Sequence, residues 1–354
     1  MSSRSARTTG ARRSGRAAAP AWASYDDERL LDLRFCDLRI EPSQTRVTEY
    51  LERLYDELAR RGIRHRPHAW FSSEWFSPDG VPGIALPFYL GHERLMRLEK
   101  KKMLEVEGGA DRACMRILRH EAGHAICTAY RLHYRPSWRK HFGRFSEPYP
   151  DSYRPNPNSR QHVVHLNRWY AQVHPAEDFA ETFAVWLRPG SRWRQAYRGW
   201  PALRKLEFVE ELMRDLSGAV PPVRTRRRIE PISELRTTLR EHYKAKRLRY
   251  GSDWPDVIDR DLYRIFSSDK RCASHPTAAS FLRREQRTIR EHVSRWTGTS
   301  QYTINQVLRD TIDRCRELKL RLAIDEDDAR LQATLMITVQ TMNYIHGGHH
   351  RILL

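Results

Sequence analysis

The chain has 354 residues, 40% of them hydrophobic and 30% charged, which allows one large domain plus a smaller one with an ample buried core. No apolar run approaches the roughly 20 residues that a membrane-spanning helix needs, so a helical membrane protein is excluded. The 63 Lys and Arg against 44 Asp and Glu leave a formal net charge of +19, and the five cysteines are odd in number with no CxxC pair, which argues against a disulfide framework and for a reducing, cytoplasmic setting.

Residues 1–24 read as a disordered basic tail: five Arg fall within the first 20 residues without one acid, and no apolar stretch resembles a secretory signal. Residues 25–218 are expected to form a catalytic domain. In it, Thr45–Arg61 carries Val47, Tyr50, Leu51, Leu54 and Leu58 at helical spacing and is stopped by Gly62. Residues 63–76 are aromatic and partly alternating, a candidate strand, and SPDG at 77–80 is a turn signal. Val81–Leu90 looks extended, with Pro82 and Pro87 pushing it towards a sheet edge where it could hold an extended peptide. His92–Glu105 predicts a helix, broken at Gly108-Gly109.

A strong helix is predicted over Asp111–Tyr130 with Asp111 as its N-cap. Pro136–Arg160, rich in Pro, Tyr, Ser and Asn, reads as a long mobile loop. His162 and His165 lie on a β-like run, HVVHL, and read as structural. Further helices are expected over Pro175–Leu187 and Pro201–Leu216. Residues 219–231 are a basic linker by composition. Residues 232–354 read as an all-α region, with helices over Ser233–Arg249, Pro276–Trp296, Gln301–Ala323 and from Asp327 to Gly347. No internal repeat is present. The terminal HGGHH, with His346, His349 and His350, reads as a frayed end.

The chemistry concentrates in HEAGH at 120–124. Positions i and i+4 share one helix face, so His120 and His124 can offer ring nitrogens to one ion. Glu121 stands beside that face, where it can take a proton from water on the metal. Ala122 and Gly123 keep the helix slim, so an opposite wall can approach. In HPAEDFAETFAVWL, Glu177 and Glu181 are again i and i+4, while Phe179, Phe183 and Trp186 would anchor the other side in a core. A catalytic zinc needs a third protein ligand and an open position, and a ligating histidine commonly donates its other N–H to a carboxylate. Glu177 as ligand and Glu181 as the acid behind a histidine fill both roles.

HExxH followed by a helix with Glu-x-x-x-Glu resembles the gluzincins. Two segments, SPDGVPGIALPFYLGHERLMRLE and HPAEDFAETFAVWL, resemble a family of bacterial zinc-binding metallopeptidases, and the likeness covers roughly Tyr25–Leu216. The second helix is also similar to the catalytic domain of anthrax lethal factor, in which the first acid of the pair is the ligand and a tyrosine seven residues earlier stabilises the oxyanion; Tyr170 stands at that position here. The other zincin pattern, HExxHxxGxxH, requires a glycine at 127 and a histidine at 130, where this chain has Cys127 and Tyr130. The resemblance implies an α+β, zincin-like domain with a small twisted sheet beside the HExxH helix, and a Zn²⁺-dependent hydrolase acting on peptides or proteins. His120, His124 and Glu177 would hold the metal, with Glu121 and Tyr170 catalytic. His174, just before the second helix, is the next candidate for the oxyanion.

Two rival readings remain at this point. One is a non-catalytic zinc protein, against which Glu121 speaks, because a purely structural site has no use for a base. The other is a nucleic-acid-associated protein carrying a peptidase-like domain, suggested by the Arg-rich segments but supported by no recognition motif.

Overall fold

The computed structural model describes residues 20–150, 152, 153, 156, 158–250, 259–346, 352 and 353. Residues 1–19 of the basic tail, loop positions 151, 154, 155 and 157, and His349 and His350 lie outside the described residues; Ala21–Ser24, expected to be disordered tail, form a 3-10 turn whose buried Trp22 donates to the Leu38 carbonyl at 3.0 Å. Among those described, the α-helices of the first two-thirds are α1 (Asp27–Leu31), α2 (Val47–Arg60), α3 (Glu93–Met103), α4 (Asp111–Ala129), α5 (Pro136–Phe142), α6 (Pro175–Leu187), α7 (Trp193–Ala196) and α8 (Ala202–Asp215). They continue as α9 (Leu239–Tyr250), α10 (Asp259–Ile265), α11 (Ala278–Thr297), α12 (Gln301–Glu317) and α13 (Glu326–His346). Most periodic segments of the sequence thus become helices close to their expected bounds, but α9 begins six residues after Ser233, and α12 ends six residues before Ala323, with Arg321–Leu322 a strand instead.

Helix α6 lies at the centre. Every residue from Ala176 to Leu187 is buried, as expected of a helix packed on all sides. Phe179 and Phe183 face away from the two glutamates. Phe179 meets Trp138 and Phe142 at ring separations of 5.8 and 5.3 Å, and Phe183 meets Trp186 at 5.5 Å. Burying each of these rings contributes roughly 1.5–3 kcal/mol. Helix α4 packs against α6 at Gly123, where a Cβ would fall 2.7 Å from the Ala180 Cα. The slimness read from Ala122-Gly123 is therefore used for a backbone-close crossing. Helix α4 is held from its other side by Arg119, whose guanidinium donates to both Glu57 oxygens at 2.7 and 2.8 Å with both groups buried. That pair ties α4 to α2 one residue before His120.

The sheet beside α4 is two strands, β1 (His68–Ser72) and β2 (Gly83–Pro87), paired in parallel from His68 opposite Gly83 to Ser72 opposite Pro87; Ser152–Tyr153 pairs with Ile352–Leu353 and Phe266–Ser267 with Arg321–Leu322, both antiparallel, so residues 232–354 are not all-α. The connection doubles back along the other side of β2, where Phe76 and Ala85 exchange backbone hydrogen bonds. Strand β2 is an edge of its two-stranded sheet, as its prolines suggest, but all five of its residues are buried and the Phe76–Ala85 bridge covers part of that edge. Pro82 precedes the strand and Pro87 closes it, so neither interrupts the ladder between them.

Residues 219–231, read as a linker, run against the rest of the domain. Val223 N–H donates to the Ala129 carbonyl at 3.1 Å. The Trp70 indole donates to the Ile229 carbonyl at 2.8 Å and the Ser72 hydroxyl to that of Glu230 at 2.7 Å. Ile232, Leu239 and Tyr243 belong to the same core as Trp22, Phe71 and Phe183. A second core, from Leu262 to Ile337, is built by α10–α13. No helix among the described residues is long and apolar enough to cross a membrane. The five cysteines are free.

Three local expectations are corrected. Pro136–Arg160 is not loop throughout, since α5 occupies Pro136–Phe142 with Pro136 in its first turn and Trp138 and Phe142 buried one turn apart. Asp111 is not the N-cap of α4. Ala110 is, and the Asp111 carboxylate instead accepts from the Tyr50 hydroxyl at 2.5 Å. HVVHL forms no strand: His165 donates to the Arg116 carbonyl at 3.0 Å, and His162 stands 3.9 Å from Asp178.

Candidate metal centre

The crossing of α4 and α6 sets His120 and His124 opposite Glu177 and Glu181. The Nε2 atoms of the two histidines lie 3.1 Å apart, and Glu177 Oε2 is 3.0 Å from the first and 3.2 Å from the second. Three donor atoms therefore form a nearly equilateral triangle, the group of described residues that could hold a metal ion. Tetrahedral zinc with donors at about 2.0–2.1 Å separates them by about 3.3 Å, so the triangle fits that ion with only a slight spread.

Two of the three groups, His120 and Glu177, are oriented from behind. His120 Nδ1 donates to Glu181 Oε1 at 2.9 Å, which would turn Nε2 towards a bound ion. The Leu166 amide donates to Glu181 Oε2 at 2.7 Å, so both oxygens of that fully buried acid are occupied. Glu177 sits in the first turn of α6, where the helix dipole favours a carboxylate. Its Oε1 accepts from the Tyr149 hydroxyl at 2.8 Å, leaving Oε2 for the histidine pair.

The charges follow from this packing. Burial opposes a charge on His120, but the Glu177 and Glu181 carboxylates outweigh it and raise its pKa well above the ordinary imidazole value. Burial likewise opposes the Glu177 anion, and the two histidines outweigh it, holding the group well below the usual carboxylate range. Glu121 is different. Burial pushes its carboxyl up, only partly countered by His120 and His124. Its Oε2 is buried with no hydrogen-bond partner. A buried orphan oxygen beside three converging donors is what a base awaiting a water would present. The Ser77 hydroxyl donates to the Glu121 carbonyl at 3.1 Å and ties the turn before β2 to the same helix.

Tyr170 lies in the 3-10 turn Asn167–Gln172, its ring 5.6 Å from that of His120. Burial, then the nearby Glu177 and Glu121 charges, raise its phenol pKa, so the hydroxyl keeps its proton. His174 caps α6, accepting from the Ala176 amide at 3.1 Å through Nδ1, while its Nε2 donates to the Glu147 carbonyl at 2.8 Å. Both ring nitrogens are thus engaged in building the helix start. Tyr149, which stacks on His174 at 3.9 Å, was not singled out in the sequence. It sits in a Pro- and Tyr-rich stretch with no periodicity, and only the tertiary fold brings it to Glu177.

Two imidazoles and a carboxylate, with a glutamate beside them that leaves one oxygen unpartnered among the described residues, form a group that could hold one metal ion. Residues 95–197 match the model of the family described as "Putative zinc-binding metallo-peptidase", the family that the two quoted segments resemble; the second segment lies inside the match and the first overlaps it from Leu95. No curated protein matches the chain, and no solved structure does.

Proposed function

We propose that this protein is a zinc-dependent peptidase of gluzincin type, in which His120, His124 and Glu177 hold the ion, Glu121 is the general base and Tyr170 assists at the carbonyl oxygen. The observation that carries this reading is the donor triangle of 3.0–3.2 Å with the Glu121 carboxylate, buried and unpartnered at Oε2, on the same helix. Zinc in such a site lowers the pKa of coordinated water to about 7 and polarises a carbonyl.

The protein's own groups supply the rest. Glu121 takes the proton from water as the water oxygen bonds to the carbonyl carbon, then passes it to the departing amine nitrogen as the C–N bond breaks. The Tyr170 hydroxyl, kept protonated by burial, can donate to the carbonyl oxygen as it gains negative charge. The catalytic unit on this reading extends beyond residue 218, since Ile232, Leu239 and Tyr243 share its core. The zincin assignment rests on the two helices, as the sheet is only two strands.

Hydrolysis of mixed peptide pools by the zinc-loaded protein tests the proposal. Glu121→Gln is expected to keep zinc and the folded state while hydrolysis falls by about 10²–10⁴-fold, the span associated with removing a positioned base. An undiminished Glu121→Gln enzyme would overturn the reading. Zinc lost in Glu121→Gln and retained in Glu177→Ala would reverse the two roles.

A further inference from the structure

An open groove of about 1000 Å³ begins where the metal helix ends. Its wall includes Thr128, four residues past His124 on α4, and therefore about 6 Å further along the helix axis. Its far side is the chain that follows α5, up to Glu147. The Glu147 carbonyl accepts from His174, the cap of α6, and Tyr149 two residues on donates to Glu177. The groove and the metal centre are thus bounded by the same strip of chain.

Four cations line this groove: Arg131, Arg139, Lys140 and Arg144. All four are solvent-exposed. Arg139 spends its guanidinium on the His133 and Tyr134 carbonyls, and none of the four makes an ion pair with a described residue, in a molecule where many other Arg do. The lining acids are two, Asp79 and Glu147. Like charges gathered in a concave surface focus the potential and raise the local concentration of the opposite charge.

We propose that this groove is the specificity subsite of the same centre and selects peptides carrying acidic side chains. The inference rests on the peptidase reading above. At about 3.3 Å per residue, a strand that leaves the metal reaches the groove about two residues from the scissile bond. The acidic positions of a preferred substrate therefore begin about two residues away and extend outward. A peptide is favoured over a nucleic acid because the groove shares α4 and the Glu147–Tyr149 strip with a centre inside the peptidase-family match, and because it carries Asp79 and Glu147, which repel a continuous line of phosphates.

The test uses the full-length Glu121→Gln protein loaded with zinc, and three fluorescent probes: a glutamate-rich peptide, the same peptide with glutamine at every glutamate, and a single-stranded oligonucleotide. Fluorescence anisotropy is expected to show the acidic peptide binding at least tenfold more tightly than the glutamine version. Raising salt from 50 to 300 mM should weaken it. Arg139→Glu combined with Lys140→Glu should cost roughly another tenfold, with zinc content and melting temperature unchanged. Arg264→Glu, an exposed arginine of α10 outside the groove, should leave binding as it was. Equal affinity for the two peptides, indifference to the double reversal, or tighter binding of the oligonucleotide would overturn the proposal. The two readings fail separately. Binding that behaves as expected in a protein without hydrolytic activity removes the peptidase reading, whereas zinc-dependent hydrolysis indifferent to acidic residues removes the subsite.

Discussion

Glu177 has two oxygens with two different duties, and the division between them is set by Tyr149. With the phenol on Oε1, the other oxygen points at the histidine pair. Tyr149→Phe keeps the ring stacked on His174 and removes only the hydroxyl. We predict a drop in zinc affinity of roughly 10–100-fold, as for other groups that orient metal ligands, with little change in the melting temperature of the zinc-free protein. Competition with a chromophoric chelator measures it, and unchanged affinity would mean that Tyr149 merely covers the site. The contrast with the histidines shows what a sequence can reveal of such a centre. His120, Glu121 and His124 were legible because a helix converts spacing into geometry within a single turn. Glu177 and Glu181 were legible for the same reason, once a second helix was recognised. Tyr149 and Ser77 reach the site through the path of the chain in space, which no local period encodes.

The elements of the centre depend on one close crossing. Alanine at 123 would gain roughly 1 kcal/mol of helix propensity over glycine. Its Cβ would stand 2.7 Å from the Ala180 Cα and 3.1 Å from the Ala180 carbonyl oxygen, both backbone atoms that cannot swing aside. Overpacking of this kind costs about 1–3 kcal/mol, so the clash wins. Gly123→Ala should lower stability despite the better helix former, and should weaken zinc binding by moving Glu177 off the histidines. A stabilised variant with full zinc affinity, seen by chemical denaturation and chelator competition, would contradict the crossing. The same scale explains which elements the sequence hid. Helix α5 was obscured because proline density reads as loop, although proline in a first turn is compatible with a helix. The flanking prolines of β2 point to a sheet edge, whereas the chain that covers that edge at Phe76 leaves no mark in the sequence.

At the scale of the whole molecule, acid works against the fold through two histidines, His162 and His165. Burial holds His165 down to about 4, against 6.5 for an ordinary imidazole, and His162 is likewise down at about 4. Between pH 6.5 and 4 the unfolded chain binds protons that the folded chain refuses. The stability these groups contribute is complete above pH 6.5 and is lost as pH falls towards 4. For His165 the loss at pH 5 is roughly 2 kcal/mol. Denaturation in the presence of a chelator, so that metal release plays no part, should show His165→Gln losing about that much less than wild type between pH 7.5 and 5. Equal losses would mean that His165 is not held neutral by the fold. The second core, Leu262–Ile337, follows the helical periods seen in the sequence. The packing of 219–231 and of α9 onto the first core was not legible there, because Arg- and Pro-rich composition looks the same whether a segment is free or bonded along its carbonyls.

The most direct test of the account is the zinc content of the purified full-length protein and of His120→Ala, by elemental analysis after removal of loosely bound metal. The account predicts about one zinc per chain in the first and close to none in the second, with both proteins folded. Equal zinc in the two, or none in the wild type after exposure to zinc, would contradict it.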